Sequence, residues 1–111
     1  MALPGVHLTR IGKGSFLLEP LRSMNIRDQG TLMRDIVAQV QSANGTHLYF
    51  DLNSLPVIDP VYYDWLDKLA RTCQAVNIRM ICINMQPTAA FTLSKHLTSK
   101  PVFEVALGIA E

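Results

Sequence analysis

The chain has 111 residues, 49% apolar and 17% charged, with ten basic side chains against nine acidic ones and a net charge of +1. That length fits one domain able to bury a core without staples, and the composition is that of a folded chain rather than a disordered one. No run of Lys or Arg supplies the basic stripe that neutralises phosphates, which argues against nucleic-acid binding.

The N-terminal part alternates apolar residues near Val6, Leu8 and Ile11, turns at Gly12-Lys13-Gly14 and runs on through residues 15–19, the pattern of a β-hairpin. Pro20 breaks the second strand, and residues 19–25 connect onward. Asp28 is the expected N-cap of a helix whose apolar stripe is Leu32, Met33, Ile36, Val37 and Val40. Asn44-Gly45 ends that helix with residues that tolerate positive φ. Residues 46–52 are β-branched and aromatic, so they read as a strand, and residues 53–56 as a loop.

Asp59-Pro60 is a strong helix start, with Asp at the cap and Pro at the first helical position. Tyr62, Leu66, Leu69, Ala70 and Cys73 mark one face of this second helix, and Asn77 ends it. Residues 79–84 form a strand rich in Ile and Met. Gln86-Pro87-Thr88 opens a short third helix, with Thr88 as its cap and Ala89, Ala90, Leu93 and Leu97 as its apolar face. Pro101 precedes a last strand at about residues 102–105. The order ββαβαβαβ favours right-handed crossovers and a mixed, mostly parallel sheet with an antiparallel N-terminal hairpin at its edge. The fold class is therefore α/β, with helices packed on the sheet.

Cys73 and Cys82 have neither C-x-x-C spacing nor the density of a disulfide framework, so two reduced, buried thiols are expected. His7, His47 and His96 form no pair at ligand spacing, and no metal or cofactor is expected. Gly12-Lys13-Gly14 lacks the length and the following helix of a phosphate loop. No Ser or Cys stands in a nucleophile context beside a His, and Asp64 and Asp67, three apart on a helix, suit a solvated face. No catalytic residue is assigned, and a non-enzyme is expected. No apolar stretch approaches the roughly 20 residues that span a bilayer. Met1-Ala2-Leu3-Pro4-Gly5 lacks the basic and apolar regions of a signal peptide. A cytoplasmic protein without membrane contact is expected.

Two segments sharpen the picture. Tyr49-Phe50-Asp51-Leu52, followed by Pro56-Val57-Ile58-Asp59-Pro60, resembles the STAS family, in which a strand ending in Asp-Leu leads through a loop to a helix begun by Asp. Met85-Gln86-Pro87-Thr88-Ala89-Ala90-Phe91-Thr92-Leu93 resembles the strand-to-helix junction of its stressosome branch, the small anti-sigma factor antagonist (RsbS-like) scaffolds. The resemblance covers about residues 6–107. It implies a single STAS domain over residues 1–111, ending at Glu111, where the family's usual C-terminal helix would begin.

The resemblance also implies a role: binding STAS paralogues and a Ser/Thr switch kinase or an anti-sigma factor, as a homo- or hetero-oligomer. In the family, a hydroxyl just after the helix-starting Asp accepts phosphate from the kinase. Here that position is Pro60 and the next is Val61, neither of which carries a hydroxyl. Asp59 reads as an N-cap or as a contact to a partner; Pro60 reads as a helix starter or as a permanent loss of phosphocontrol. Val61, Tyr62 and Tyr63 complete the expected partner-binding surface, the tyrosines reading otherwise as packing residues with a wet hydroxyl. Thr92 matches a position phosphorylated in some stressosome scaffolds and is the candidate phosphosite; its bland reading is a hydroxyl bonded to a helix carbonyl. Two other roles stand beside this one: an accessory STAS module of a membrane transport system, and a small-nucleotide binder or weak NTPase.

Overall fold

The computed structural model describes residues 3–24, 26–27, 30–95 and 101–109. Strands β1 (Val6–Gly12) and β2 (Ser15–Pro20) pair antiparallel across Lys13-Gly14, with a register irregularity between Arg10 and Gly12. Helix α1 (Thr31–Ser42) then leads to β3 (His47–Asp51), α2 (Pro60–Ala75) to β4 (Arg79–Ile83), and α3 (Pro87–Ser94) to β5 (Glu104–Ala106). The sheet order is β1-β2-β3-β4-β5, with β2 to β5 all parallel. This is the α/β architecture expected from the sequence.

The pairing decides which side chains face the helices. Phe16, Leu48 and Met80 share one row, and Leu18, Phe50 and Cys82 the next. These residues join the buried stripes of α1 (Leu32, Met33, Ile36, Val37, Val40), α2 (Trp65, Leu66, Leu69, Ala70, Cys73) and α3 (Ala89, Leu93) in one core cluster. All three helices therefore lie on one face. A right-handed crossover repeated in one direction along the sheet gives that result each time. The other face carries a smaller cluster made of strand residues alone: Tyr49, Ile81 and Ile83, flanked by Leu17 and Ala106.

Both long helices stop in the same way. Asn44 and Asn77 adopt φ of 58° and 61°. At α1, Asn44 N–H donates to Gln41 O (3.0 Å) and Gly45 N–H to Val40 O (2.8 Å); at α2, Asn77 N–H donates to Gln74 O (3.2 Å) and Ile78 N–H to Cys73 O (2.9 Å). Each pair of bonds is a Schellman motif that satisfies the last carbonyls and turns the chain into the next strand. Gly45 is required for another reason: a Cβ there would collide with Cγ1 and the carbonyl of Val40.

Four local expectations need correction. The N-cap position of α1 is Gly30, with φ of 93° and no side-chain cap, while Asp28 lies outside the described residues. Trp65 joins the buried face of α2, edge-on to Phe50 with ring centroids 6.0 Å apart. Ala90 is exposed rather than buried, and Leu97 and His96 fall outside the described residues. The last strand begins at Glu104 instead of about residue 102, because Phe103 turns inward and is buried in the core.

Candidate functional site

The site expected from the sequence lies where α2 begins, beyond the carboxyl end of β3. Asp59 has extended backbone, and its Oδ1 accepts the Tyr62 N–H at 2.8 Å. It is thus a working N-cap, and Pro60 occupies the first turn, where a missing N–H costs nothing. Asp51, at the end of β3, accepts the Asn53 N–H (2.9 Å) and Asn84 Nδ2–H (3.3 Å) on its Oδ1. It ties the ends of β3 and β4 together, so the loop starting at residue 52 leaves from a fixed point.

Two further bonds hold that loop against α3. Gln86 Nε2–H donates to Asn53 O (2.5 Å), and Thr88 Oγ1–H to Pro56 O (2.5 Å). Thr88 was expected to cap α3. Gln86 holds the cap position instead, without a side-chain cap bond, and Thr88 spends its hydroxyl on the neighbouring loop. The loop before α2 and the start of α3 therefore form one connected surface.

Three apolar residues of these elements are exposed. Val57 is 53% exposed, Val61 49% and Phe91 64%. Val61 borders a groove of about 350 Å³ between α1 and α2, walled by Ile26, Met33 and Trp65 and edged by Asp64 and Lys68. Tyr62 borders a second groove of about 310 Å³, with Leu21, Met24, Ile26 and Leu55 as apolar walls and Arg22 and Ser54 at its edge. The first turn of α2 stands between the two. Asp64 and Asp67 are engaged by Lys68 (2.9 Å) and Arg71 (2.8 Å), Asp64 exposed and Asp67 half-buried, so both carboxylates are neutralised on their own helix.

The expected residues divide. Asp59, Pro60 and Val61 are exposed on this surface. Tyr62 and Tyr63 are half-buried and pack against the core, Tyr62 tilted on Trp65 and Tyr63 edge-on to Phe103. The Tyr62 hydroxyl is buried with no hydrogen-bond partner among the described residues, and desolvation, with a smaller contribution from Cys82, holds its pKa well above the usual phenol value. Burial likewise raises that of Tyr63. Thr92 is half-buried, and its Oγ1–H donates to Thr88 O at 2.9 Å, the back-bonded hydroxyl that was its bland reading.

Sequence reasoning missed Val57 and Phe91 as surface residues. Phe91 lies two positions from both Ala89 and Leu93, the buried pair of α3, which places it across the helix from them. Lys95 Nζ sits 4.4 Å from its ring centroid. A large aromatic at a position the helical period assigns to solvent was the available signal.

Among the described residues no group of three His, Cys, Asp or Glu side chains could hold a metal ion. None of their helices is long and apolar enough to cross a membrane. The sheet order also bears on the nucleotide reading. Ligand crevices of open α/β sheets form where strand order reverses, and here it runs unreversed from β2 to β5.

No protein-family model matches the sequence, and no curated protein matches it. Solved structures do match. The chain superposes on RsbS of Moorella thermoacetica, in a serine-to-glutamate variant, with a TM-score of 0.70 over 94% of this chain and 87% of that one, at 16% identity. It superposes on the protein TM1081, solved by NMR, with a TM-score of 0.71 over 88% of this chain and 78% of that one, at 10% identity. The chain has the STAS-type fold that its two segments resemble.

Proposed function

We propose that this protein is a STAS scaffold or antagonist of stressosome-type stress signalling, which sequesters a regulatory Ser/Thr kinase or anti-sigma factor and assembles with STAS paralogues. The observation that carries this reading is the exposure of Val57 and Val61 on either side of a capped, proline-stiffened helix start. Exposed apolar residues held on a rigid element, with polar groups at the rim, suit a protein contact better than they suit chemistry. The fold shared with RsbS supports the same class.

Pro60 stands where the family's phosphoacceptor is expected, so in this reading the surface stays in its binding state. A phosphate added there would bring up to about two negative charges; without a hydroxyl that input is absent. Thr92 is then the proposed remaining switch. Phosphorylating it would break its bond to Thr88, on the helix that also anchors the loop before α2.

Affinity capture of the protein from its native cell, with mass spectrometry of partners and phosphosites, tests the proposal. STAS paralogues together with a Ser/Thr kinase or an anti-sigma factor are expected, and V61D should lose them while keeping the thermal midpoint of the parent. Capture of membrane-transport subunits in their place would favour the accessory-module reading. A catch holding neither paralogue nor regulator would refute the scaffold role.

A further inference from the structure

Of the five asparagines, Asn44 alone is followed by glycine; Asn25, Asn53, Asn77 and Asn84 precede Ile, Ser, Ile and Met. Glycine places no side chain beside its own nitrogen, so that nitrogen can reach the carboxamide of the residue before it. Asn77 and Asn84 share the left-handed backbone of Asn44, but the side chains of Ile78 and Met85 crowd the nitrogens that follow them. Asn44 is exposed, so water has access to its carboxamide.

The fold keeps this pair from reacting. Gly45 N–H donates to Val40 O at 2.8 Å, which holds the proton on the nitrogen and aims it at the end of α1. Just beyond, Gly14 O accepts the Thr46 N–H (2.7 Å) and the His47 N–H (3.0 Å), and Thr46 O accepts the Arg79 N–H (2.9 Å). The turn is therefore tied to the tip of the hairpin and to the start of β4. Val40 and Phe16 close around Gly45, so its nitrogen has little room to swing while these bonds stand.

We propose that Asn44 is a site of spontaneous covalent modification, gated by opening of the turn between α1 and β3. When the turn opens, the Gly45 nitrogen attacks Asn44 Cγ. The N–Cγ bond forms, the Cγ–Nδ2 bond breaks, and the Gly45 amide proton departs with Nδ2 as ammonia. Water then opens the cyclic imide and returns a proton to the nitrogen. Addition at Cγ leaves aspartate. Addition at the main-chain carbonyl leaves isoaspartate, in which the backbone runs through Cβ and Cγ.

Both products put negative charge at the carboxyl end of α1, where the helix dipole disfavours it. Isoaspartate also lengthens the main chain within the turn. The bonds from Asn44 N–H to Gln41 O and from Gly45 N–H to Val40 O then cannot both keep their register. A chain that has opened and reacted closes less well, so the modification is a lasting trace of a transient event.

Peptide mapping with isoaspartate detection tests this, on the whole chain held in mildly alkaline buffer across a urea series, beside hydrogen exchange of the Gly45 amide. In unfolding urea, Asn44 should convert ahead of every other asparagine. In native buffer its conversion should be at least about tenfold slower, because only the open fraction reacts. Low urea should speed it in step with Gly45 exchange. The isoaspartate form, separated and refolded, should have a lower urea midpoint than N44D, which carries the charge without the longer backbone. Another asparagine reacting first in urea would overturn the assignment. Native conversion as fast as unfolded, or independent of Gly45 exchange, would overturn the gate. An isoaspartate form matching N44D would overturn the backbone effect.

Discussion

Replacing Asp59 with alanine removes the acceptor for the Tyr62 N–H and should destabilise the protein by about 1 kcal/mol. Asparagine at the same position keeps a capping oxygen and loses only the charge, so D59N should hold its urea midpoint within a few tenths of a kcal/mol of the parent. The pair of variants separates two roles that the sequence alone left open. If Asp59 is solely a cap, D59N binds partners as the parent does. If its charge meets a partner, D59N weakens capture while folding normally.

The start of α2 was legible at this scale because Asp followed by Pro has one dominant use, and both side chains act locally. Asp28 was a poorer guide. Gly30 reaches the cap position of α1 through a left-handed backbone that no side-chain preference announces.

At the scale of elements, the helix ends make a sharper prediction than the helix bodies. Asn77 holds a left-handed conformation that costs most residues about 1–2 kcal/mol. N77A should lower stability by about 1 kcal/mol, and N77G should leave it level or raise it slightly; urea unfolding of the three proteins decides between them. Helices α1 and α2 were readable because three or more turns give the apolar period room to declare itself. Helix α3 has eight residues, little more than two turns, and Ala90, expected on its apolar face, is exposed there. Strand β5 was misplaced for a related reason. Three residues with a single pairing partner leave only a faint alternation, and the inward turn of Phe103 is decided by space in the core. The role of Thr88 was out of reach too, since Pro56 is distant in sequence and only the tertiary fold brings it near.

For the molecule as a whole, one core on one side of the sheet governs chemical behaviour. Both cysteines lie in that core, and burial pushes the Cys73 thiol up to about 12 and Cys82 higher still. Thiolate is the reactive form. The native protein should therefore be silent toward an aromatic disulfide reagent in mildly alkaline buffer, and two equivalents should react once denaturant unfolds it. A rapid native reaction would mean that the core opens locally.

The unbroken strand order has a consequence for how the chain finds this structure. Every strand pairs with the one next to it in sequence, so no later segment has to be inserted between strands already joined. Closure loops stay short, which keeps their entropic cost small and favours rapid formation. On a ribosome the hairpin can wait, then receive each helix and strand as it emerges, with the growing edge always the newest strand. Among the described strands β5 arrives last, and it joins β4 without the earlier pairings having to reopen.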